Sequence, residues 1–343
     1  MIVRARAPLR LGLAGGGTDV SPYCDVYGGQ VMNVTIDRYA YAILAPRDDD
    51  QSCFHALDVG SREMHACGGG SLDITGPLQL LKGVYERICR DFLDGARPAL
   101  DVKTFSDAPP GSGLGSSSTM VVALVQAFVE YFSLPLGEYE VAHLAYAIER
   151  KDLKLAGGKQ DQYAAAFGGF NFMEFYEHDR VIVNPLRIKD WVWAELECSL
   201  VLYFTGVSRA SADIIDQQSR NIGDKNQVSI DAMHQLREEA VQMKECILKG
   251  DLSRLEATLQ AGWVAKKKTA TSISNPLIEQ VEATAFAHGA RAAKVSGAGG
   301  GGFMMFLCSP EDRIGLSRAL LEHGGNILDF HFTQQGARSW RIN

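Results

Sequence analysis

Residues 109–120, PPGSGLGSSSTM, constrain this chain more than any other stretch. Glycines at 111, 113 and 115 alternate with other residues, three serines follow, and an apolar run begins at once: Met120, Val121, Leu124, Val125, Phe128 and Val129. A segment this poor in side chains cannot pack a core. What it offers is bare backbone at the entrance to a helix, about 116–132, that is hydrophobic on more than one side and therefore central and buried. A helix N-terminus carries unpaired N–H groups and a partial positive charge. Glycine lets backbone amides approach an anion with no Cβ in the way. Together they predict a phosphate cradle, in which Ser116, Ser117 and Ser118 cap the helix or bind a metal carried by the phosphate. The alternative is a flexible turn with a serine cap.

The familiar nucleotide loops do not match. A Walker A loop needs GxxxxGK[ST], and Gly158-Lys159 is followed by Gln160. The Rossmann fingerprint needs GxGxxG after the first strand, and Gly115 falls one residue short of its third position. The protein-kinase motifs are missing as well. The loop is a phosphate binder of another lineage.

Periodicity places the remaining elements. Residues 2–13 alternate, with Val3, Ala5, Ala7, Leu9, Leu11 and Leu13 on one face and Arg4, Arg6 and Arg10 on the other, which predicts a half-buried strand. GGGTD (15–19) breaks it, and a β-rich stretch follows over about 31–45. PRDDDQSC (46–53) reads as an exposed turn and CGGGS (67–71) as a loop. Helical spacing predicts helices near 77–94 and 138–151, with a short strand near 99–105. SLVLYF (199–204) reads as a buried strand, followed by helices near 209–221, 231–249 and 251–268. Asn275-Pro276 starts a helix and Gly289 stops it. RAAKV (291–295), the glycine loop 297–302 and FMMFL (303–307) read as strand, turn, strand, and the C-terminal end as one more strand. Segregated strands and helices in 343 residues predict an α+β protein of two domains, 1–195 and 196–343.

Composition narrows the function. With 46% hydrophobic and 22% charged residues the chain is globular rather than disordered. A net charge of −7 argues against a general nucleic-acid or anionic-membrane binder, and no apolar run approaches the roughly 20 residues that span a bilayer. The seven cysteines are scattered and never spaced as CxxC, which favours reduced thiols over a disulfide framework or zinc site. MIVRARAPLRLGLAG has no signal-type apolar core. The expectation is a cytoplasmic protein without nucleic-acid or membrane partners; a homo-oligomer stays open.

PPGSGLGSSSTM resembles the second motif of the GHMP small-molecule kinases, APLRLGLAGGGTD (7–19) the first, and KVSGAGGGGFMMF (294–306) the third, in the family's order and across nearly the whole chain. The resemblance implies two α+β domains, an N-terminal ribosomal S5-like and a C-terminal ferredoxin-like one, with the active site between them. It also implies ATP as phosphate donor, cradled by Pro110, Gly111, Ser112, Gly113, Leu114, Gly115, Ser116, Ser117 and Ser118. GGGTD, GGKQDQYAAAFGG (157–169) and SGAGGGGF (296–303) look most like the subgroup acting on D-glycero-D-manno-heptose 7-phosphate, and fucose enzymes resemble them more distantly. That subgroup phosphorylates the anomeric 1-hydroxyl, giving a 1,7-bisphosphate for GDP-heptose and surface polysaccharide.

The residues offer a candidate for each part of phosphoryl transfer. Asp161 matches the catalytic aspartate, which accepts or orients the hydroxyl proton; as a residue alone it also reads as a helix N-cap or first-turn acid. Glu149 matches the acid that binds Mg2+ together with Ser117, the alternative being a surface pair with Arg150 or Lys151. Arg10 matches an arginine beside that aspartate, or is a solvated strand residue. Asp19 matches an acid that binds sugar hydroxyls in galactokinases, or is an Asx-turn residue, with Gly16, Gly17 and Thr18 beside it. Lys159, Lys267 and Lys268 are candidates for a substrate phosphate, with Arg209 a weaker one, although a charge run is ordinarily a solvated face. The third glycine loop, through Gly299 and Gly300, is expected to close over the substrate. Two competing readings lose ground: a catalytically silent sugar sensor should lack Asp161 or Glu149, and a dinucleotide oxidoreductase needs the missing fingerprint. A kinase of free fucose or galactose stays open.

Overall fold

The computed structural model describes residues 1–68, 70–207 and 211–342. In chain order the strands are β1 (Ile2–Ala14), β2 (Gly29–Pro46), β3 (Gln51–Ala56), β4 (Ser61–Ala66), β5 (Leu100–Ser106), β6 (Phe170–Phe175), β7 (Val181–Pro185), β8 (Leu200–Phe204), β9 (Ala290–Val295), β10 (Phe303–Cys308), β11 (Asn326–Leu328) and β12 (Arg338–Ile342). The helices are α1 (Tyr23–Tyr27), α2 (Gln79–Phe92), α3 (Ser116–Phe132), α4 (Glu138–Ala147), α5 (Gln160–Phe167), α6 (Asp190–Ser199), α7 (Ser211–Gly223), α8 (Gln227–Lys249), α9 (Leu252–Lys267), α10 (Pro276–Ala287) and α11 (Arg313–Leu321).

Two sheets organise these elements. The first runs β12-β1-β2-β5-β3-β4, with β6 and β7 added along the other end of the long β2. The second is the antiparallel set β11-β8-β10-β9. The C-terminal strand therefore crosses back to the first sheet and pairs with β1 from Ile2↔Ile342 to Arg6↔Arg338.

The apolar residues of β1 are divided between two cores. A register shift from Pro8↔Tyr39 to Arg10↔Thr35 interrupts its pairing with β2, leaving β2 residues 36–38 opposite Leu9 alone. Val3, Ala5 and Ala7 join the core built on α2 and α3, whereas Leu9, Leu11 and Leu13 join a second core with Met243 of α8 and Leu259 of α9. Arg10, on the other face of β1, reaches Asp161 of α5 and Gly113 of the glycine loop. Instead of being solvated it is 4% exposed.

α3 is the buried central helix its sequence predicts, from Ser116 to Phe132. The helix expected over 138–151 instead ends at Ala147 and widens into a π-helical turn, Ile148–Asp152, that carries Glu149. The exposed turn expected over 46–53 is shorter, because β3 begins at Gln51 and forms a hairpin with β4. Among the described residues no helix is long and apolar enough to cross a membrane.

Candidate active site

A cleft of about 370 Å³ opens where the glycine loop, the start of α5, α7 and α9 converge. Gly111, Gly113 and Gly115 all take positive φ, 72°, 83° and 78°. That zigzag is open to glycine and strained for other residues, and it explains the alternation. The residues between them turn inward: Ser112 and Leu114 are fully buried and can offer a phosphate only backbone. Ser116 is also buried, with its hydroxyl 3.4 Å from Pro109 O. Pro110 stands exposed at the outer lip. The first bond of α3 is from Thr119 N to Gly115 O at 2.9 Å, so the amides of Ser116, Ser117 and Ser118 precede it, and all three residues line the cleft. This is the anion-binding geometry of a helix start.

The inner side of the loop is held by backbone. Leu114 O accepts from Arg10 N, and Ser112 O from Phe303 N at 2.9 Å. Gly113 O accepts from Arg10 Nη1 at 2.6 Å and from Ser296 Oγ at 3.0 Å. A Cβ at Gly297 would lie 2.9 Å from Gly113 Cα, and one at Gly302 would overlap Ser112 O. The third glycine loop thus stacks on the phosphate loop. Gly299 and Gly300, expected over the substrate, face away: Gly300 N donates to Ile273 O at 2.7 Å and Gly300 O accepts from Asn275 Nδ2. Gly297 and Ala298 line the cleft in their place.

Asp161 lies in the first turn of α5 and does not cap it. The cap comes from Asp19, whose Oδ2 accepts from Lys159 N (2.9 Å) and Gln160 N (3.0 Å). Its Oδ1 accepts from Gly17 N and from Gln160 Nε2. Gly158 must be glycine here, since a Cβ would overlap the Asp19 carboxylate. Asp19 therefore organises the turn that aims Asp161, besides lining the cleft itself. Asp161 Oδ1 accepts from Arg10 Nε at 2.7 Å, which leaves the second carboxylate oxygen outside that pair. Thr18 is no substrate ligand: it is fully buried, and its hydroxyl lies 2.8 Å from Gly15 O and Gln30 O, tying the GGGTD turn to β2.

Glu149 is 1% exposed, so its 3.7 Å pairing with Arg150 is a buried one rather than the surface pair of the alternative reading. Its Oε1 accepts from Ser117 Oγ at 3.1 Å and its Oε2 from Gln162 Nε2 at 2.5 Å. Lys151 pairs with Asp179 instead.

The lysine expectations need correcting. Lys159 is buried, but its ammonium is taken by Asp179 at 3.0 Å and Asp25 at 3.5 Å. Lys267 pairs with Glu279 and Glu282 and lies over the Trp263 ring, and Lys268 is exposed. Neither lines the cleft. Their neighbour Lys266 does, because successive residues of a helix are turned by about 100° and Lys266 takes the inward face of α9. Gly16 O accepts its Nζ at 2.9 Å. Arg209 lies outside the described residues.

The sequence reading also missed Gln160, Gln162 and Arg150. The two glutamines flank Asp161 in KQDQY, and polar residues in the first turn of an otherwise apolar helix were the available signal. Behind them Lys294 Nζ donates to Gly12 O at 2.6 Å. Burial presses its pKa down to about 7, with Lys266 and Arg10 adding to the effect. Burial also pushes Glu239 up to about 7.

A helix-start anion cradle with a carboxylate packed beside it, Asp161 against Gly115, fits the needs of a kinase acting on a small molecule. The description "GHMP kinases N terminal domain" matches residues 79–169, and "GHMP kinases C terminal" matches 243–326. The chain belongs to the GHMP kinases, which are ATP-dependent, and has their two-domain mixed α/β fold. It is 46% identical, over 99% of both chains, to the D-glycero-alpha-D-manno-heptose 7-phosphate kinase of Campylobacter jejuni. It superposes with a TM-score of 0.84, at 45% identity over 99% of each chain, on a crystal structure named as a D-glycero-D-manno-heptose 1-phosphate kinase of Bacteroides thetaiotaomicron. A more distant relative is the L-fucokinase/L-fucose-1-P guanylyltransferase of Bacteroides fragilis, 22% identical over 95% of this chain but only 36% of that protein.

Proposed function

We propose that the protein transfers the γ-phosphoryl group of ATP to the anomeric 1-hydroxyl of D-glycero-D-manno-heptose 7-phosphate, yielding the 1,7-bisphosphate and ADP. The observation that carries the reaction type is the Arg10–Asp161 pair, 2.7 Å apart, on the cleft that the glycine loop also lines. The choice of sugar rests on full-length similarity to the C. jejuni enzyme. Amides of residues 116–118 and the α3 dipole cradle the donor phosphates. Asp161 accepts or orients the proton of the attacking hydroxyl, as a general base does. Arg10 fixes that carboxylate and links it through Gly113 O to the phosphate loop.

Ser117 Oγ and Glu149 Oε1 fit a magnesium ion: they are hard oxygen donors 3.1 Å apart beside the cradle. When bound, the ion neutralises phosphate charge. Gln162 and Ser117 keep the Glu149 carboxylate oriented without it. The division expected at 195/196 falls inside α6 (Asp190–Ser199), and β12 returns to the first sheet, so a two-domain boundary there needs moving beyond α6 and the last strand assigning to the N-terminal half. The same reading puts the enzyme in the cytoplasm, a reducing compartment that suits its free cysteines.

The names of the two heptose relatives differ in which phosphate the acceptor already carries. Phosphorus-31 NMR resolves this. The protein is incubated with ATP, magnesium and, separately, heptose 7-phosphate, heptose 1-phosphate, mannose 6-phosphate, fucose and galactose. A new anomeric phosphate signal only with the 7-phosphate is expected. Turnover of the 1-phosphate alone would move the acceptor to the other end of the sugar, and turnover of a free sugar alone would discard heptose phosphate.

A further inference from the structure

Three cationic side chains line the cleft among the described residues: Arg10, Arg150 and Lys266. Two are committed. Arg10 serves Asp161 and Gly113. Arg150 reaches Gly158 O, Leu155 O and Ser118 Oγ and lies 3.7 Å from Glu149 Oε1. Lys266 differs. An ammonium has three N–H donors, and one is used, on Gly16 O at 2.9 Å. No carboxylate of the described residues forms an ion pair with it, although the residue is only 5% exposed. A buried ammonium without a counter-charge is costly. Burial holds its pKa down to about 8 against the pull of Asp19. The Lys266 charge in turn helps to hold down the pKa of the buried Lys294.

The chain spends local structure on keeping this group at the cleft. Gly17 takes φ +103°, and a Cβ there would sit 2.8 Å from Lys266 Nζ. A side chain at 17 would push the ammonium out. The third glycine of GGGTD is thus the space through which the ammonium faces the cleft, with Gln218 and Met233 at its margins. The geometry points to Lys266 as the residue that binds the phosphate already present on the acceptor sugar, and so as the determinant that separates sugar phosphates from free sugars. The phosphate supplies the counter-charge that the fold withholds. Lys267 and Lys268 have no part in it. This inference rests on the sugar-phosphate kinase reading above.

The test compares kcat/KM for heptose 7-phosphate and for unphosphorylated heptose at saturating ATP. It uses the wild-type protein, Lys266→Met, Lys266→Arg and, as a control, Lys267→Met, each checked by thermal melting for folding. A charge-assisted hydrogen bond is worth about a 10- to 100-fold change. The preference for the phosphorylated sugar is expected to collapse by roughly that factor in Lys266→Met, through KM, with partial rescue in Lys266→Arg and none of the loss in Lys267→Met. The ATP KM should stay within about twofold in every variant. Equal losses on both acceptors would show that Lys266 only braces Gly16, and an unaltered preference would show that the phosphate binds elsewhere; either overturns the inference. A wild-type protein inactive on the 7-phosphate would instead remove the underlying reading and the inference with it. Should Lys266→Met fail to fold, Gly17→Ala must produce the same collapse by displacing the ammonium, and an unchanged preference there counts against the proposal.

Discussion

Gly297→Ala probes the contact between the two glycine loops. Gly297 takes φ +79°, where a side chain costs about 1–2 kcal/mol. The new Cβ would also lie 2.9 Å from both Gly113 Cα and Gly113 O, which are backbone atoms and cannot rotate away. Carbon atoms in good contact stand about 3.5–4.0 Å apart, so the loops must separate by more than half an ångström, on the order of that shortfall. Gly113 O then loses alignment with Arg10 Nη1 and with Ser296 Oγ. A bond from a charged donor contributes about 1.5–3 kcal/mol and a neutral one about 0.5–1.5. Partial loss of both, added to the strain, gives a destabilisation of about 4 kcal/mol. In a large domain each kcal/mol lowers Tm by about 2 °C, so scanning calorimetry should read a fall of roughly 8 °C. Initial rates should show a raised ATP KM and a lowered kcat, because the loop moves and Arg10 loses its second anchor. A Tm within about 1 °C of wild type with an unchanged ATP KM would refute the stacking of the loops.

Ser117→Ala removes the hydroxyl 3.1 Å from Glu149 Oε1. It should raise the magnesium concentration needed for half-maximal rate by about tenfold, the equivalent of one such contact; an unchanged magnesium titration would take Ser117 out of the metal site. Glu239→Gln addresses the buried carboxyl whose pKa burial raises to about 7, against the Gln235 amide and Lys294. From about pH 4.5 to 7 the native state keeps a proton that the unfolded chain has released, so stability falls as pH rises across that window and levels off above it. Wild-type Tm should therefore drop more than that of Glu239→Gln between pH 5 and 8, by the equivalent of about 3 kcal/mol at 1.4 kcal/mol per unit. Parallel pH profiles would contradict the burial argument.

Much of the architecture was legible because its signals are local. The apolar run after Ser116 fixes α3 to the residue, and Asn275-Pro276 marks α10, with Asn275 Oδ1 accepting from Ile278 N. Asp161, Arg10, Glu149 and Ser117 were found through motifs, and the fold brings all four to one cleft. What escaped depends on registration between distant segments. Alternation put Arg10 on the polar face of β1 but could not show that α5 and the glycine loop cover it there. No local feature distinguishes Lys266 from Lys267 and Lys268; the rotation of α9 against the GGGTD turn decides which one faces the cleft. The glycines at 297–302 were rightly read as permitting close approach, but the partner is the phosphate loop rather than the substrate. The capping role of Asp19 escaped because its partners lie some 140 residues away.

The central claim is that Asp161, held by Arg10, handles the acceptor's proton while a separate cradle holds ATP. Asp161→Asn tests it most directly, with turnover of heptose 7-phosphate and ATP affinity by titration calorimetry measured on the same preparation. A kcat reduced by about 10²–10⁴-fold is expected, the usual loss on removing a general base, with ATP affinity within about threefold of wild type. Turnover within about tenfold of wild type, or ATP affinity falling in step with activity, would contradict it.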